Sequence, residues 1–307
     1  MRVFVAAGSG VLGRRVVSRL LEAGHDVTAS ARTEAAVELL TGLGARPARV
    51  DVFDPMALRG AVNRCDAALR LTTRIPPLTQ MRRAAAWKET GRLRNQGARA
   101  LADACVAESV QVLIHESVSF VYADGGDGWL DEGAPVNDGE SAPLRDALTG
   151  EANARIVTAA GGRGIVLRYG GFYSADSVQS RTMANMLRRR RFTLLGPSNN
   201  YFSSIHVDDA AIATVAALQA PAGVYNVADN APMRLRDYMA AFAEAVGAPP
   251  PRRLPAMLGP VVMGETWKYL PRSQRVSSQR LREATGWTAA VPDARAGWRL
   301  IAAQWAE

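Results

Sequence analysis

Three glycines placed between an apolar segment and a helix-like one are the first residues with an evident chemical use. Gly8-Ser9-Gly10-Val11-Leu12-Gly13 follows directly on Val3–Ala7. Glycines at such a junction permit a tight turn, let backbone approach a pyrophosphate, and bring helix close to strand. The helix start then offers free N–H groups and the positive end of a dipole to phosphates. A dinucleotide site is expected there. Arg32 lies 24 residues after Gly8, where an acid would take both hydroxyls of a ribose, and Ser30, Ala31 and Arg32 supply none. A guanidinium can instead clamp a 2′-phosphate through charge-assisted bonds. NADP(H) is therefore favoured, with NAD(H) left open. Arg14 and Arg15 either assist the phosphates or face water. Asp51, beside Val52, can accept a bond from an adenine amino group, whereas Asp54 before Pro55 reads as a helix N-cap. Leu71, Thr72 and Thr73 close a strand at the edge a dinucleotide crosses.

A second polar group, His115, Glu116, Ser117 and Ser119, sits where a reacting carbon would meet the nicotinamide. Glu116 or His115 can act as acid or base if desolvated, and Ser117 can donate to a substrate oxygen. Adjacent strand residues face opposite ways, and Ser117 is preferred near the cofactor. Tyr173 offers a phenol or a packing ring, and Tyr122 is a weaker candidate. His206 precedes Asp208-Asp209, of which at least one is expected to cap a helix, with His206 at the cleft. The Asp124–Glu132 loop is either a cover with Trp129 as its apolar wall or a solvated connection. Arg188–Arg191 cannot all point one way and are read as solvated. Cys65 and Cys105 make neither a disulfide framework nor a metal cage, and no metal site is expected.

These residues need a scaffold, and the apolar runs provide one. The sequence predicts strands at Val3–Ala7, Asp26–Ser30, Ala48–Val52, Ala67–Leu71, Val110–His115 and Gly164–Arg168. Helices are expected over Gly13–Ala23, Glu34–Leu43, Pro55–Val62, Ala84–Glu108 and Leu144–Ala160. Strict alternation implies right-handed parallel crossovers and a Rossmann-type, doubly wound α/β sheet. After Arg168 the rhythm breaks into helices near Ser180–Arg190, Asp209–Leu218 and Leu235–Val246 and a strand at Gly223–Val227. Residues 1–170 are read as the nucleotide domain. Residues 171–307 form mainly a smaller substrate lobe, with about 203–230 returning to the first domain. The 307 residues are 48% hydrophobic with a formal charge of +8, but no nucleic-acid motif accompanies the charge. No run is long enough to span a bilayer, and the start leaves no room for a signal peptide; the cytoplasm is the default, with a small molecule as partner rather than nucleic acid or membrane.

Val5–Gly13, Asp51-Val52, Gly97–Ala104, Val118–Tyr122, Val166–Tyr173, Ile205–Asp209, Tyr225–Val227 and Leu281–Trp287 together resemble the extended short-chain dehydrogenase/reductases, the NAD(P)-dependent epimerase/dehydratase group. The resemblance covers nearly the whole chain. It implies that Ser117, Tyr169, Gly171 and Phe172 join the cofactor contacts, that substrate lies between sheet and C-terminal lobe, and is compatible with a homodimer. Departures stand beside the matches. Ala7 takes the place of the first glycine. The family's proton relay is a tyrosine, a lysine four residues later and a serine or threonine. Yet the residues four after the seven tyrosines are Gly126, Tyr173, Ser177, Ile205, Asp229, Phe242 and Ser273. Counting from Glu151 puts Pro143 and Ala147 in the tyrosine and lysine places. Val118 falls in the serine place, and Arg94 where an asparagine is usual. Three readings follow: an NADP(H)-dependent oxidoreductase acting on a small carbonyl or alcohol through a non-standard site, a non-catalytic NADP(H) sensor, or a redox-neutral lyase, cyclase or isomerase.

Overall fold

A computed structural model of the chain describes residues 1–137 and 141–306. The first half runs β1 (Arg2–Ala6), α1 (Val11–Glu22), β2 (Asp26–Ser30), α2 (Glu34–Leu43), β3 (Arg46–Ala48), α3 (Pro55–Val62), β4 (Ala67–Arg70), α4 (Lys88–Arg92), α5 (Ala98–Ala107), β5 (Val112–Val118), β6 (Trp129–Leu130), α6 (Ala142–Ala159) and β7 (Arg163–Tyr169). Then follow β8 (Gly171–Tyr173), α7 (Val178–Arg188), β9 (Thr193–Leu195), β10 (Tyr201–Phe202), β11 (Ser204–His206), α8 (Val207–Ala216) and β12 (Gly223–Val227). The chain ends through β13 (Met233–Arg234), α9 (Leu235–Ala245), β14 (Arg252–Leu254), α10 (Gly259–Met263), β15 (Arg275–Val276), α11 (Gln279–Thr285) and α12 (Ala294–Ala306).

Seven strands pair in the order β12-β7-β5-β4-β1-β2-β3, all in parallel. The order reverses between β1 and β4, the switch point where a doubly wound sheet opens a crevice. Strand alternation sorts the core into two layers. Val3, Val5, Leu69, Ile114 and Leu167 pack with Val16, Val17 and Leu20 of α1 and Ala210 and Ala213 of α8. Phe4, Ala68, Leu113 and Val166 pack on the other face with α3, α5 and α6. A third cluster builds the C-terminal lobe around Trp298, stacked on Phe242 at 3.6 Å between ring centres. β12 returns to the sheet edge beside β7.

Three expected elements differ, each for a local reason. β3 covers Arg46–Ala48 instead of Ala48–Val52. Its ladder ends with Ser30 opposite Ala48, after which the chain turns away and Val50 is buried against the α3 and α5 layer; the apolar alternation reported burial, not pairing. The long helix at Ala84–Glu108 is divided into a 3₁₀ turn at Ala84–Trp87, α4, a wide π turn at Leu93–Gly97 and α5. Such a turn re-aims side chains, and here Arg94 and Leu93 are buried. β5 runs on to Val118, because His115, Glu116 and Ser117 keep their ladder with β7 despite being polar.

Asp229, just beyond β12, accepts bonds from the Ser204 hydroxyl at 3.0 Å and the Ala231 N–H at 3.2 Å. Burial raises its pKa to about 7, and the carboxylates of Asp293 and Asp209 push the same way. An acid whose folded pKa is raised contributes stability that is full below its unfolded pKa and lost as pH rises through the folded one. Urea midpoints should therefore show Asp229→Asn gaining on the wild type between pH 4 and about 7, by on the order of a few kcal/mol. Curves that stay parallel across that window would show an ordinary aspartate.

Candidate active site

The glycine turn is built by close approach. A Cβ on Gly13 would lie 2.1 Å from the Ala7 carbonyl oxygen, and one on Gly8 would lie 2.6 Å from the Ala29 Cβ. Ala7 itself holds φ +66°, a left-handed conformation that costs a non-glycine residue roughly 1–2 kcal/mol. Its N–H is taken by the buried Ser30 hydroxyl at 2.8 Å, a contact not anticipated from the sequence. Gly10 starts α1 without a side-chain cap, so the helix N-terminus carries no side chain of its own over the first N–H groups. Gly8 and Gly13 thus let the turn and α1 pack closely on the strands, and with the uncovered N-terminus of α1 this turn fits a dinucleotide pyrophosphate.

Beyond the ends of β2 and β3 lies a cavity of about 430 Å³, lined by Arg32, Arg49 and Arg92 together with Asp51, Phe53 and Glu89. Arg92 lies over the Phe53 ring at 3.6 Å, Arg49 pairs with Glu34, and Arg32 is exposed. Asp51 accepts the Phe53 N–H at 3.0 Å, and Asp54 caps α3 through the N–H groups of Met56 and Ala57. Val52 packs at the margin of the α5 layer. Arg14 and Arg15 are half-buried in ion pairs. Arg14 pairs with Asp176, and Arg15 with Asp176 and Asp208, tying α1 to the segment before α7 and to the first turn of α8.

The β4 and β5 ends carry a buried polar layer. Leu71 and Thr72 are buried, and the Thr72, Thr73 and Ser119 hydroxyls are enclosed without a partner. Arg70 donates to the Glu116 carbonyl at 3.1 Å and the Thr72 carbonyl at 2.6 Å, and burial lowers its pKa to about 10. His115 is sealed against Gly150 of α6, its Nε2 unpartnered. Burial, then Arg70 and Arg94, press its pKa well below the histidine range, so the ring stays neutral. Burial raises the Glu116 carboxyl, opposed by Arg70 and Arg94.

Ser117 takes a different part from the one expected. Its hydroxyl donates to Glu151 Oε1 at 2.6 Å, and Arg168 closes a two-point pair on the same carboxylate at 2.9 and 2.7 Å. Ser117 and Arg168 are cross-strand neighbours. Burial would pull the Arg168 guanidinium down, yet the Glu151 bonds carry its pKa up. The serine holds a buried ion pair rather than a substrate. Of the two uses open to Tyr173, the structure shows the packing ring. Its ring packs on Trp298 at 5.0 Å and His206 at 5.4 Å, Gly297 is the space its hydroxyl occupies, and that hydroxyl is sealed without a partner. Tyr169 is buried with its hydroxyl 2.7 Å from that of Thr214, and Gly171 makes room for the Phe202 ring; of that turn, Phe172 reaches solvent. Tyr122 donates to Asn226 at 2.8 Å beneath Arg168. His206, not an aspartate, caps α8 by accepting the Asp208 N–H at 3.4 Å, while buried Asp209 receives the N–H groups of Ala290 and Val291. The Asp124–Glu132 loop is pinned by β6–β15 pairing, by Asp127–Arg234 at 2.8 Å and by Arg275 over Trp129 at 4.2 Å.

Residues 3–228 match the model of the NAD dependent epimerase/dehydratase family. The chain belongs to that family. Its members include NAD(P)-dependent oxidoreductases and epimerases, and a pyridine nucleotide is the cofactor this enzyme uses. A Streptomyces protein named 3-diazoavenalumate denitrifying reductase is 32% identical, the alignment covering 97% of this chain and 99% of that protein. A ketoreductase of a farnesyl dihydroquinoline oxide from Stigmatella aurantiaca is 28% identical over 96% of this chain and 84% of its own. A human epimerase family protein crystallised with NADPH superposes with a TM-score of 0.81 at 23% identity, covering 99% of both chains. No helix among the described residues is long and apolar enough to cross a membrane.

In this epimerase/dehydratase family member, Glu151→Ala would strand a buried guanidinium. Chemical denaturation should show a loss of roughly 3–5 kcal/mol. Ser117→Ala, which leaves the Arg168 bonds to Glu151 in place, should lose about 1–2 kcal/mol and keep nucleotide affinity within about twofold. A large fall in nucleotide affinity with unchanged stability would return Ser117 to the cofactor.

Proposed function

We propose that this enzyme is an NADPH-dependent reductase of flat, unsaturated carbonyl acceptors. The observation that carries the reading is the aromatic wall just past β5. The Phe120 ring lies 6.1 Å from Phe202 and 5.9 Å from Tyr269, and Phe202 lies 4.8 Å from Tyr238. Such a surface suits a conjugated ring, through apolar burial and offset stacking, better than a hydroxyl-rich sugar. The two relatives similar over nearly the whole chain are named as reductases, one of a diazo compound and one of a dihydroquinoline ketone. Arg32 and Arg49, beside the cavity at the ends of β2 and β3, favour a cofactor with a 2′-phosphate.

When bound, the nicotinamide supplies the hydride. The chain's own residues cradle the pyrophosphate through the Gly8–Gly13 turn, hold the adenosine end at Arg32, and set the acceptor ring against Phe120. A second reading follows from the 32% identity with the diazo reductase and from the absence of any tyrosine followed four residues later by lysine. Hydride addition to an aryldiazonium cation releases dinitrogen and leaves the arene, with no proton to deliver.

Calorimetric titration should give tighter binding of NADPH than NADH, and Arg32→Ala should weaken NADPH by roughly 10- to 100-fold while leaving NADH nearly unchanged. Equal weakening of both would remove Arg32 from the phosphate. NADPH oxidation followed with acetophenone, menadione and benzenediazonium then separates the acceptors, and a wild type that oxidises NADPH with none of them refutes the reductase reading.

A further inference from the structure

Reducing a ketone demands a proton at oxygen as hydride arrives at carbon, and the positions Pro143 and Ala147 offer none. What fills the space beside them comes from the other end of the chain. Tyr269 packs in one buried cluster with Val121, Leu144 and Ala147, bordered by Val118 and Phe120. Its backbone is seated by Glu265, whose carboxylate accepts the Ser141 hydroxyl at 3.0 Å and the Ala142 N–H at 3.2 Å. Ser141 does not cap α6 with its own side chain. A carboxylate from the C-terminal lobe therefore does so, with the favourable sign for a helix start, and this contact brings Tyr269 over the first turns of α6.

Tyr269 is 4% exposed, yet its oxygen is not among the buried polar atoms sealed without a partner, as that of Tyr173 is. Burial raises its pKa, Arg94 nearby pulls it down, and Glu265 raises it, which keeps the proton on the oxygen at neutral pH. Arg94 is buried in the π turn and donates to the Pro143 carbonyl at 2.9 Å, so a buried guanidinium stands near the phenol, the sign of charge that favours an oxyanion beside it.

We propose that Tyr269 is the catalytic acid of ketone reduction, its hydroxyl donating first a hydrogen bond and then its proton to the acceptor oxygen. The assignment rests on the ketone reading above. Hydride adds to the carbonyl carbon, the C=O π pair takes the phenolic proton as the O–H bond forms, NADP⁺ and alcohol result, and the phenolate recovers a proton from water.

Tyr269→Phe keeps the ring in its cluster and removes only the hydroxyl. Calorimetry should give an NADPH affinity within about twofold of wild type, while turnover of whichever ketone the wild type reduces should fall by about 10²–10³-fold. Independently of turnover, 4-nitrophenolate, a flat oxyanion read by its absorbance, should bind the NADP⁺-loaded wild type at least about tenfold more tightly than the variant. A variant that binds NADPH but reduces the ketone within about threefold of wild type, or binds 4-nitrophenolate equally well, overturns the assignment while leaving the reductase reading intact. A wild type that reduces benzenediazonium but no ketone overturns the ketone reading and this assignment together.

Discussion

The active-site half of the sheet depends on one buried ion pair. Glu151 and Arg168 are almost wholly enclosed, with side-chain exposures of 2% and 6%, and two charges taken so far from water cost several kcal/mol each unless geometry repays them. Here it does. Both guanidinium contacts and the Ser117 hydroxyl converge on one carboxylate, and Arg168 also covers the Tyr122 ring at 4.9 Å. Because the partners sit on β5, β7 and α6, the pair fixes how the carboxyl ends of two strands meet the helix that would otherwise carry the chemistry. Tyr122 extends that order to the edge strand through Asn226.

The two halves of the site are made by different physics. The nucleotide half is backbone geometry, a turn so close that Gly13 has no room for a methyl group, with a serine behind it holding Ala7 in a strained conformation. The acceptor half is side-chain packing, in which aromatic rings from β5's exit, β10 and the C-terminal lobe meet. Two electrostatic ties keep the halves in register: Arg14 and Arg15 of α1 with Asp176 and Asp208, and Glu265 at the start of α6. The first ties α1 to the segment before α7 and to the first turn of α8.

What the sequence disclosed follows the range of the interaction. The glycine turn, the Asp54 and Thr33 caps and the alternation of strand and helix are set by residues within a few positions of one another, and they are legible as pattern. The parts of Ser117 and Tyr173 were not legible because they depend on what packs against them. Strand alternation left two faces open to Ser117, and nothing local announces that Glu151, 34 residues on, waits on one of them. Tyr173 meets Gly297, which no spacing rule joins to it. Arg94 hid in the expected long helix, since apolar periodicity does not register one inserted residue in a π turn. Tyr269 left no signal at all, because a tyrosine followed by Ser273 fails the family's spacing test, and its relevance comes from a fold contact with α6.

That contact also makes sense of the residues at Pro143 and Ala147. A proline in the first turn of α6 is well placed for a helix start, and its carbonyl is held by a buried arginine. An alanine one turn later leaves space that the Tyr269 ring occupies. Both substitutions trade a polar catalytic face for an apolar seat, and an apolar seat on its own would be an idle surface in a reductase. It gains a purpose when the ring placed on it carries a hydroxyl, when a carboxylate four residues earlier anchors that ring to the helix, and when the ring meets Phe120 at 5.9 Å. The small residues on α6 and the large one from the C-terminal lobe are then two parts of one arrangement. In the proposed assignment, acid chemistry moves from the helix to the C-terminal segment packed on it.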